Sequence, residues 1–360
     1  MNEENFDPNL PLSQAKTLPS RWYTDETYFK AERERCFRRS WQLAGRRDQL
    51  NQPGDFFTTE VSGERVLVVM GEDGQPLALS NVCRHRGARV ACEASGSKKR
   101  FRCRYHGWNY QMDGKLAGTP EFQGAENFNK SEIALPQFPL VTVGPWLFVK
   151  LSASSDEAFD TTYPEFVRQL PELNLDRYRF HSQQIDDIQC NWKVYVDNYL
   201  DGGYHIRTIH PDLSSVVESQ RYESRVYEHS NVQISPLSSN PNHPDISSLR
   251  AGETAFYWWL YPNFMFNWYE DGFDTNLVIP TSPTTCRVVL DFYFSNPDAK
   301  FQKESLRVAE QIQSEDRDIC EDAYRGVLSS TFDTGRFSPQ REATGYHFHQ
   351  RLFKDASSQG

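Results

Sequence analysis

Between residues 41 and 151 the apolar positions come in short runs, 65–70, 76–81, 100–104 and 146–151. Glycine-bearing turns such as Gly71-Glu72-Asp73-Gly74 and Asp113-Gly114 break them up. Runs of this length between turn residues predict short strands, and hence a small all-β domain over 41–151. Ahead of it, a polar, proline-containing arm leads into residues 25–39, where Tyr28, Phe29, Glu32 and Phe37 give a loose apolar helix face. Arm and helix together, residues 1–40, are expected to pack on a later part of the chain. The polar, small-residue stretch 151–163 reads as a domain boundary, leaving 152–360 as a second domain.

That second domain mixes helix and strand. Residues 191–200 predict a helix stopped by Gly202-Gly203; 253–262, 264–270, 275–280 and 286–295 predict four strands in a meander; 298–328 predict one long helix. Strands in series followed by a helix predict an α+β fold.

Composition narrows the function classes. The 360 residues are 38% hydrophobic and 24% charged, an ordinary globular balance, and no apolar run reaches the roughly 18 residues of a membrane span. The first thirty residues carry no secretory or transit pattern. A net charge of −10 without any basic block argues against nucleic acid as a partner. Seven scattered cysteines, an odd number, predict a reducing, cytoplasmic setting. The high aromatic content, 14%, suits a large core or an aromatic pocket.

Within the β domain stand Cys83-Arg84-His85 and, seventeen residues on, Cys103-Arg104-Tyr105-His106. Two thiolates and two imidazoles suit a tetrahedral zinc or a two-iron cluster in which two histidines replace two cysteines on one iron. A zinc finger groups its cysteines and its histidines, whereas here each loop offers one of each. The spacing C-x-H-x17-C-x2-H, with Arg86-Gly87 and Gly107-Trp108 following the histidines, resembles the Rieske [2Fe–2S] domain. A Rieske centre relays one electron, so the remaining two hundred residues are expected to carry a second redox site. The other cysteines read as small buried residues or inert thiols.

The second constellation is His205-x4-His210, just after the glycine pair. On a straight helix five residues put the two side chains about 140° apart, so a shared metal needs a distorted turn. In the long helix the stripe Leu306, Ala309, Ile312, Asp316, Ile319, Cys320, Ala323, Val327 puts Asp316 on the core-facing side. A carboxylate there is expected to be protonated, paired with an arginine or bound to metal. Glu315, Asp318 and Asp322 fall toward solvent and read as solvated charges. Two imidazoles and a carboxylate match the open-sided site of non-haem Fe(II) oxygenases.

Taken together, these residues resemble the catalytic α-subunit of Rieske non-haem iron oxygenases over nearly the whole chain. The resemblance implies a helix-grip catalytic domain with an antiparallel sheet. It assigns the cluster to Cys83, His85, Cys103 and His106, and a mononuclear Fe(II) to His205, His210 and Asp316. It further implies a homotrimer in which the cluster of one chain feeds the iron of its neighbour through an acid. The family usually places that acid three residues before the first histidine, where this chain has Gly202; Asp201 is the first choice and Asp197 the second.

The stretches 197–205 (DNYLDGGYH), 261–265 (YPNFM) and 274–278 (DTNLV), with His347-Phe348-His349, look like the choline monooxygenase branch of that family. The branch implies O₂ as oxidant and a small cationic substrate such as choline, a betaine or carnitine, held by aromatic faces. Nine of the fourteen residues 256–269 are aromatic. From these and their surroundings the candidates are Tyr195, Tyr199, Tyr204, Trp258, Phe264 and Phe266. Alternatives are an aromatic-ring hydroxylase or O-demethylase of the same fold, a Rieske electron carrier without enzyme activity, and a structural zinc protein. No G-x-G-x-x-G fingerprint appears, so electrons are expected from a separate NAD(P)H-dependent reductase or a ferredoxin.

Overall fold

A computed structural model describes residues 6–152, 157–218, 220–237, 249–250 and 252–357. The chain divides into two compact units, one spanning Phe37–Phe159 and the other formed by residues up to Cys36 together with those from Asp160 on.

In the first unit the valine-rich strand Glu64–Met70 lies between Asp55–Val61 and Pro76–Ser80 in a five-stranded antiparallel sheet. Successive strand residues point to opposite faces, so one strand feeds two cores. Val66 and Val68 pack with Phe57, Leu147 and Val149, while Leu67 and Val69 pack with Phe56, Phe101 and Tyr110. The second core also holds Cys83 and Cys103. The expected strand 100–104 ends at Arg102, because Cys103 already begins a loop.

The second unit is built on a seven-stranded antiparallel sheet. Its order is Arg179–Ile188, Thr285–Phe294, Gly272–Ser282, Phe264–Trp268, Thr254–Leu260, Ser230–Pro236 and Glu223–Val226. The expected four-strand meander forms its centre. The three outer strands lack an apolar alternation: Ser230–Pro236 buries Asn231, Gln233 and Ser235, and Arg179–Ile188 is polar along most of its length. The long helix is Ala299–Val327, N-capped by Asp298. A further helix, Ala343–Ser357, follows it and was not expected from the sequence. The expected helix over 25–39 is instead an α-helix, Glu26–Glu32, continued by a wider π-helical turn, Arg33–Phe37. Tyr28, Glu32 and Cys36, in steps of four, are all buried on one face across the change of pitch. Among the described residues, no helix is long and apolar enough to cross a membrane.

Candidate metal centres and substrate cavity

The two Cys/His loops of the first unit share one backbone design. Cys83 N donates to Ala88 O and Gly87 N to Cys83 O; Cys103 N donates to Trp108 O and Gly107 N to Cys103 O. Gly87 and Gly107 close the turns at φ +72° and +75°, a conformation that favours glycine. The loops bring the rings of His85 and His106 to a centroid separation of 4.6 Å, with His85 stacked on Trp108. Both cysteines are buried, and Tyr110 Oη lies 3.2 Å from Cys83 Sγ. Burial, then His106 and Arg86, push the His85 imidazole toward its neutral form. Its Nδ1 is buried without a hydrogen-bond partner among the described residues. Two unbridged thiols and a neutral imidazole with an unused nitrogen fit the donor set of a two-iron cluster.

In the second unit, Asn191 caps the helix Trp192–Tyr199 through Lys193 N. The chain then turns at Gly202 and Gly203, φ +69° and +71°. A Cβ at Gly202 would run into the Arg341 carbonyl, so no acid fits three residues before His205. The neighbouring acid is Asp201. Its carboxylate accepts from the backbone N–H of Tyr204 and His205 and lies 2.7 Å from His205 Nδ1.

His205 and His210 flank the one-turn helix Ile206–Ile209, and His210 leaves helical geometry at φ −117°, ψ 74° before Pro211 starts the next turn. This break removes the angular problem of a straight helix: the two rings come to 5.0 Å. Asp316 meets them from the long helix, its Oδ1 3.1 Å from His210 Nε2 and 3.8 Å from His205 Nε2. The three ligand atoms all lie within 4.8 Å of one another. Asn198 donates to the same oxygen at 2.7 Å. Among the described residues no arginine pairs with Asp316.

The structure corrects two acids. Glu315 is not a solvated charge: its Oε2 lies 2.7 Å from His210 Nδ1. Burial depresses the His210 imidazole, but Asp316 and Glu315 outweigh it and the net shift is upward. Each histidine thus has a carboxylate on Nδ1 and turns Nε2 to the common point, an arrangement typical of metal-binding imidazoles. Asp197, the second choice for a bridging acid, touches neither histidine; it accepts from Tyr23 Oη at 2.7 Å and lies 2.8 Å from His349 Nε2. Nothing in the sequence pattern singled out His349 as its partner, because the helix that carries it was missed.

The three ligands open on a cavity enclosing, with its mouth, about 810 Å³. Its floor is one rung of the sheet, Gln233, Tyr257, Asn267, Asp274 and Phe292, paired in turn across five neighbouring strands. Tyr195 and Tyr199, one helical turn apart, line the cavity as expected residues. Tyr195 Oη donates to Gln313, and Tyr199 Oη to Asn267 Oδ1. The other four aromatic candidates are corrected. Tyr204 is 61% exposed, and Trp258, Phe264 and Phe266 are buried on the opposite sheet face. There Trp258 and Phe266 pack on Phe166, and Trp258 Nε1 donates to Gln169. A one-residue step along each strand separates the two faces, so the cavity takes Tyr257 and Tyr269 instead.

Two charged residues on the wall were also missed as site residues. Asp274 accepts from Asn267 Nδ2 at 2.7 Å. Burial pushes its carboxyl up to about 6, against the pull of Arg250 and Asn267. The Arg250 guanidinium sits 4.4 Å from the centroid of the Tyr269 ring. An acid near the start of an otherwise uncharged strand, Gly272–Ser282, was the one available signal for the first.

Comparison with known proteins agrees with both centres. Residues 40–139 match the Rieske [2Fe-2S] domain, and residues 175–354 match the ring hydroxylating alpha subunit (catalytic domain). A choline monooxygenase, chloroplastic, of Arabidopsis thaliana is 35% identical over 359 residues, covering 96% of this chain and 84% of the relative. A carnitine monooxygenase oxygenase subunit of Acinetobacter pittii (strain PHEA-2) is 26% identical over 354 residues, with 96% and 94% covered. A solved quaternary ammonium Rieske monooxygenase superposes with a TM-score of 0.86 at 23% identity, covering 98% and 99% of the two chains, which establishes the shared fold. With both domains matched, and with relatives aligned along nearly its full length, this chain belongs to the Rieske oxygenase α-subunits, a family of enzymes that carry a [2Fe–2S] cluster and a mononuclear iron.

Proposed function

We propose that the chain is the terminal component of a monooxygenase that hydroxylates or N-demethylates a small quaternary ammonium compound such as choline, a betaine or carnitine. The observation that carries the reading is the cavity of tyrosine faces and a buried carboxylate beside His205, His210 and Asp316. The relatives' names, choline and carnitine monooxygenase, point the same way.

A mononuclear Fe(II) on His205, His210 and Asp316, fed by a cluster on Cys83, Cys103, His85 and His106, would supply O₂ activation, which no side chain can provide. The protein's own groups do the rest. Asp201 and Glu315 hold the Nδ1 protons of the two histidines and leave both Nε2 lone pairs facing Asp316. Burial pushes the phenols of Tyr195, Tyr199 and Tyr257 far up, so they stay neutral and offer ring faces to a cation. Asp274 offers the compensating negative charge. In the net reaction one oxygen atom of O₂ enters a C–H bond, and the other leaves as water with two electrons and two protons. Hydroxylation of an N-methyl group gives a carbinolamine that breaks down to formaldehyde and the demethylated amine.

The electrons would come from a separate NAD(P)H-dependent reductase or ferredoxin, in a cytoplasmic setting suited to seven unbridged cysteines. Asp201, already bound to His205, is the acid best suited to link the iron site to the cluster of a neighbouring chain in a homotrimer.

A single turnover tests the reading. The protein is reduced, freed of reductant and given O₂ with choline, glycine betaine, carnitine, proline betaine or benzoate, and products are identified by mass spectrometry. Hydroxylated or demethylated product from an ammonium compound is expected; product from benzoate alone would overturn the assignment.

A further inference from the structure

The cavity wall opposite charge to a cation is accounted for by Asp274, but Arg250 is not. A guanidinium facing a site for choline would repel the substrate and contribute nothing to holding it. Its neighbours use only part of it. It lies over the Tyr269 ring, bonds with the Tyr269 side chain and acts on Asp274 through space, but no ion pair joins it to Asp274 within 4 Å among the described residues. Its Nε is buried with no hydrogen-bond partner among them. Buried donors are rarely left without an acceptor, so an unpaired guanidinium N–H on a cavity wall marks where an anionic group of a ligand belongs.

The placement along the cavity agrees. Arg250, Asp274 and Ala309 line both the main cavity and a smaller recess that continues toward Phe301 and Ser305. Ala309 precedes Asp316 by two helical turns, so the recess begins about 10 Å along the helix from the metal-binding trio. A carboxylate and an N-methyl group about four bonds of ~1.5 Å apart, with a hydrogen bond at one end, span a distance of that order.

Resting on the quaternary-ammonium reading above, we propose that the substrate is a short zwitterion, a betaine whose carboxylate is bound by Arg250 while Asp274 and the tyrosine faces hold its ammonium group. Arg250 is then the residue that separates betaines from choline.

The test uses the holoenzyme and isothermal titration, with single-turnover product analysis alongside. Glycine betaine and γ-butyrobetaine are each compared with their own methyl esters, which keep the cation and lose the anion, and with choline. At least one acid is expected to bind about 10- to 100-fold more tightly than its ester and than choline, the range of one charge-assisted hydrogen bond. Arg250→Gln should erase that difference by weakening the acid alone, and Arg250→Lys should restore part of it. Acids and esters binding wild-type protein equally, or choline binding best, overturns the proposal and leaves the quaternary-ammonium reading intact. That comparison does not depend on how any variant folds. If no ammonium compound binds or reacts while benzoate does, both readings fall together.

Discussion

Glu315 Oε2 lies 2.7 Å from His210 Nδ1, one residue along the helix from Asp316, whose Oδ1 lies 3.1 Å from the other nitrogen of the same ring. Adjacent helix residues point about 100° apart, so the two acids reach opposite edges of one imidazole only because the ring stands against the helix surface. At the proposed iron site this gives Glu315 a positioning role. Glu315→Ala should lower iron affinity about 10- to 100-fold in competition with a chelator, leaving the cluster's visible absorption unchanged. Glu315→Gln should recover part of the affinity, because an amide oxygen can still accept from Nδ1. Unchanged iron affinity in both variants would remove that role.

Tyr110 is hydrogen-bonded to the other centre's sulfur, and with Cys83 a cluster-bound thiolate its hydroxyl is the donor. Its hydroxyl is 3.2 Å from Cys83 Sγ and also receives Arg84 N–H at 2.9 Å. A donor to cluster sulfur stabilises the reduced, more negative state. Tyr110→Phe should lower the reduction potential. A difference of about 1 kcal/mol between the two states corresponds to roughly 40 mV for one electron. Redox titration followed by electron paramagnetic resonance reads this directly, and a potential unchanged or raised would contradict it.

Glu32 and Lys193 form a fully buried ion pair at 2.7 Å, with Trp192 Nε1 donating to the same carboxylate at 2.8 Å. Burial pushes the Glu32 carboxyl up and the Lys193 amine down, and each charge is held by the other. Removing one partner strands the other. Lys193→Met should therefore cost about 3–5 kcal/mol in denaturant unfolding. Adding Glu32→Gln should recover much of that, since Gln keeps the acceptor for Trp192 without the charge.

Asp274 makes stability depend on pH. Its carboxyl is raised from 3.8 to about 6 in the folded protein. Between those values the folded state keeps a proton that the unfolded chain has released. Its stabilising contribution is therefore present below about pH 4 and lost as pH rises through 6, a change of about 3 kcal/mol. Asp274→Asn should be more stable than wild type by up to that amount at pH 8 and equal to it near pH 4. Urea midpoints at the two pH values decide the matter. A wild-type advantage at pH 8 would mean that Arg250 pairs with Asp274 closely enough to outweigh its burial.

Much was legible from local pattern. Short β runs between glycine turns gave the strands around the Cys/His loops, and the i+3/i+4 stripe of the long helix exposed Asp316 as an acid in an apolar row. Ligand type and spacing identified both centres, because thiolates and imidazoles at fixed intervals have few other uses. The strands Ser230–Pro236 and Arg179–Ile188 escaped notice for a physical reason. Several of their polar side chains bond partners far away in sequence, as when Gln233 donates to Tyr199 O and Gln183 to Asp291.

What the sequence by itself determined was the chemistry: which residues can hold iron, where the turns must be glycine, and that one helix face carries a carboxylate. Only the tertiary structure decided which neighbours that chemistry has. In the strand Thr254–Leu260, Tyr257 and Trp258 are equally aromatic, and sheet register alone sends one to the cavity and the other to the core. Glu315 and Asp318 are both acids beside Asp316, and the rotation of the long helix against His210 makes only the first of them its partner. Local periodicity acts over a few residues and is written in the chain. Register and helix rotation are set by the packing of segments a hundred residues apart, where the choice between two similar side chains costs the sequence no visible mark.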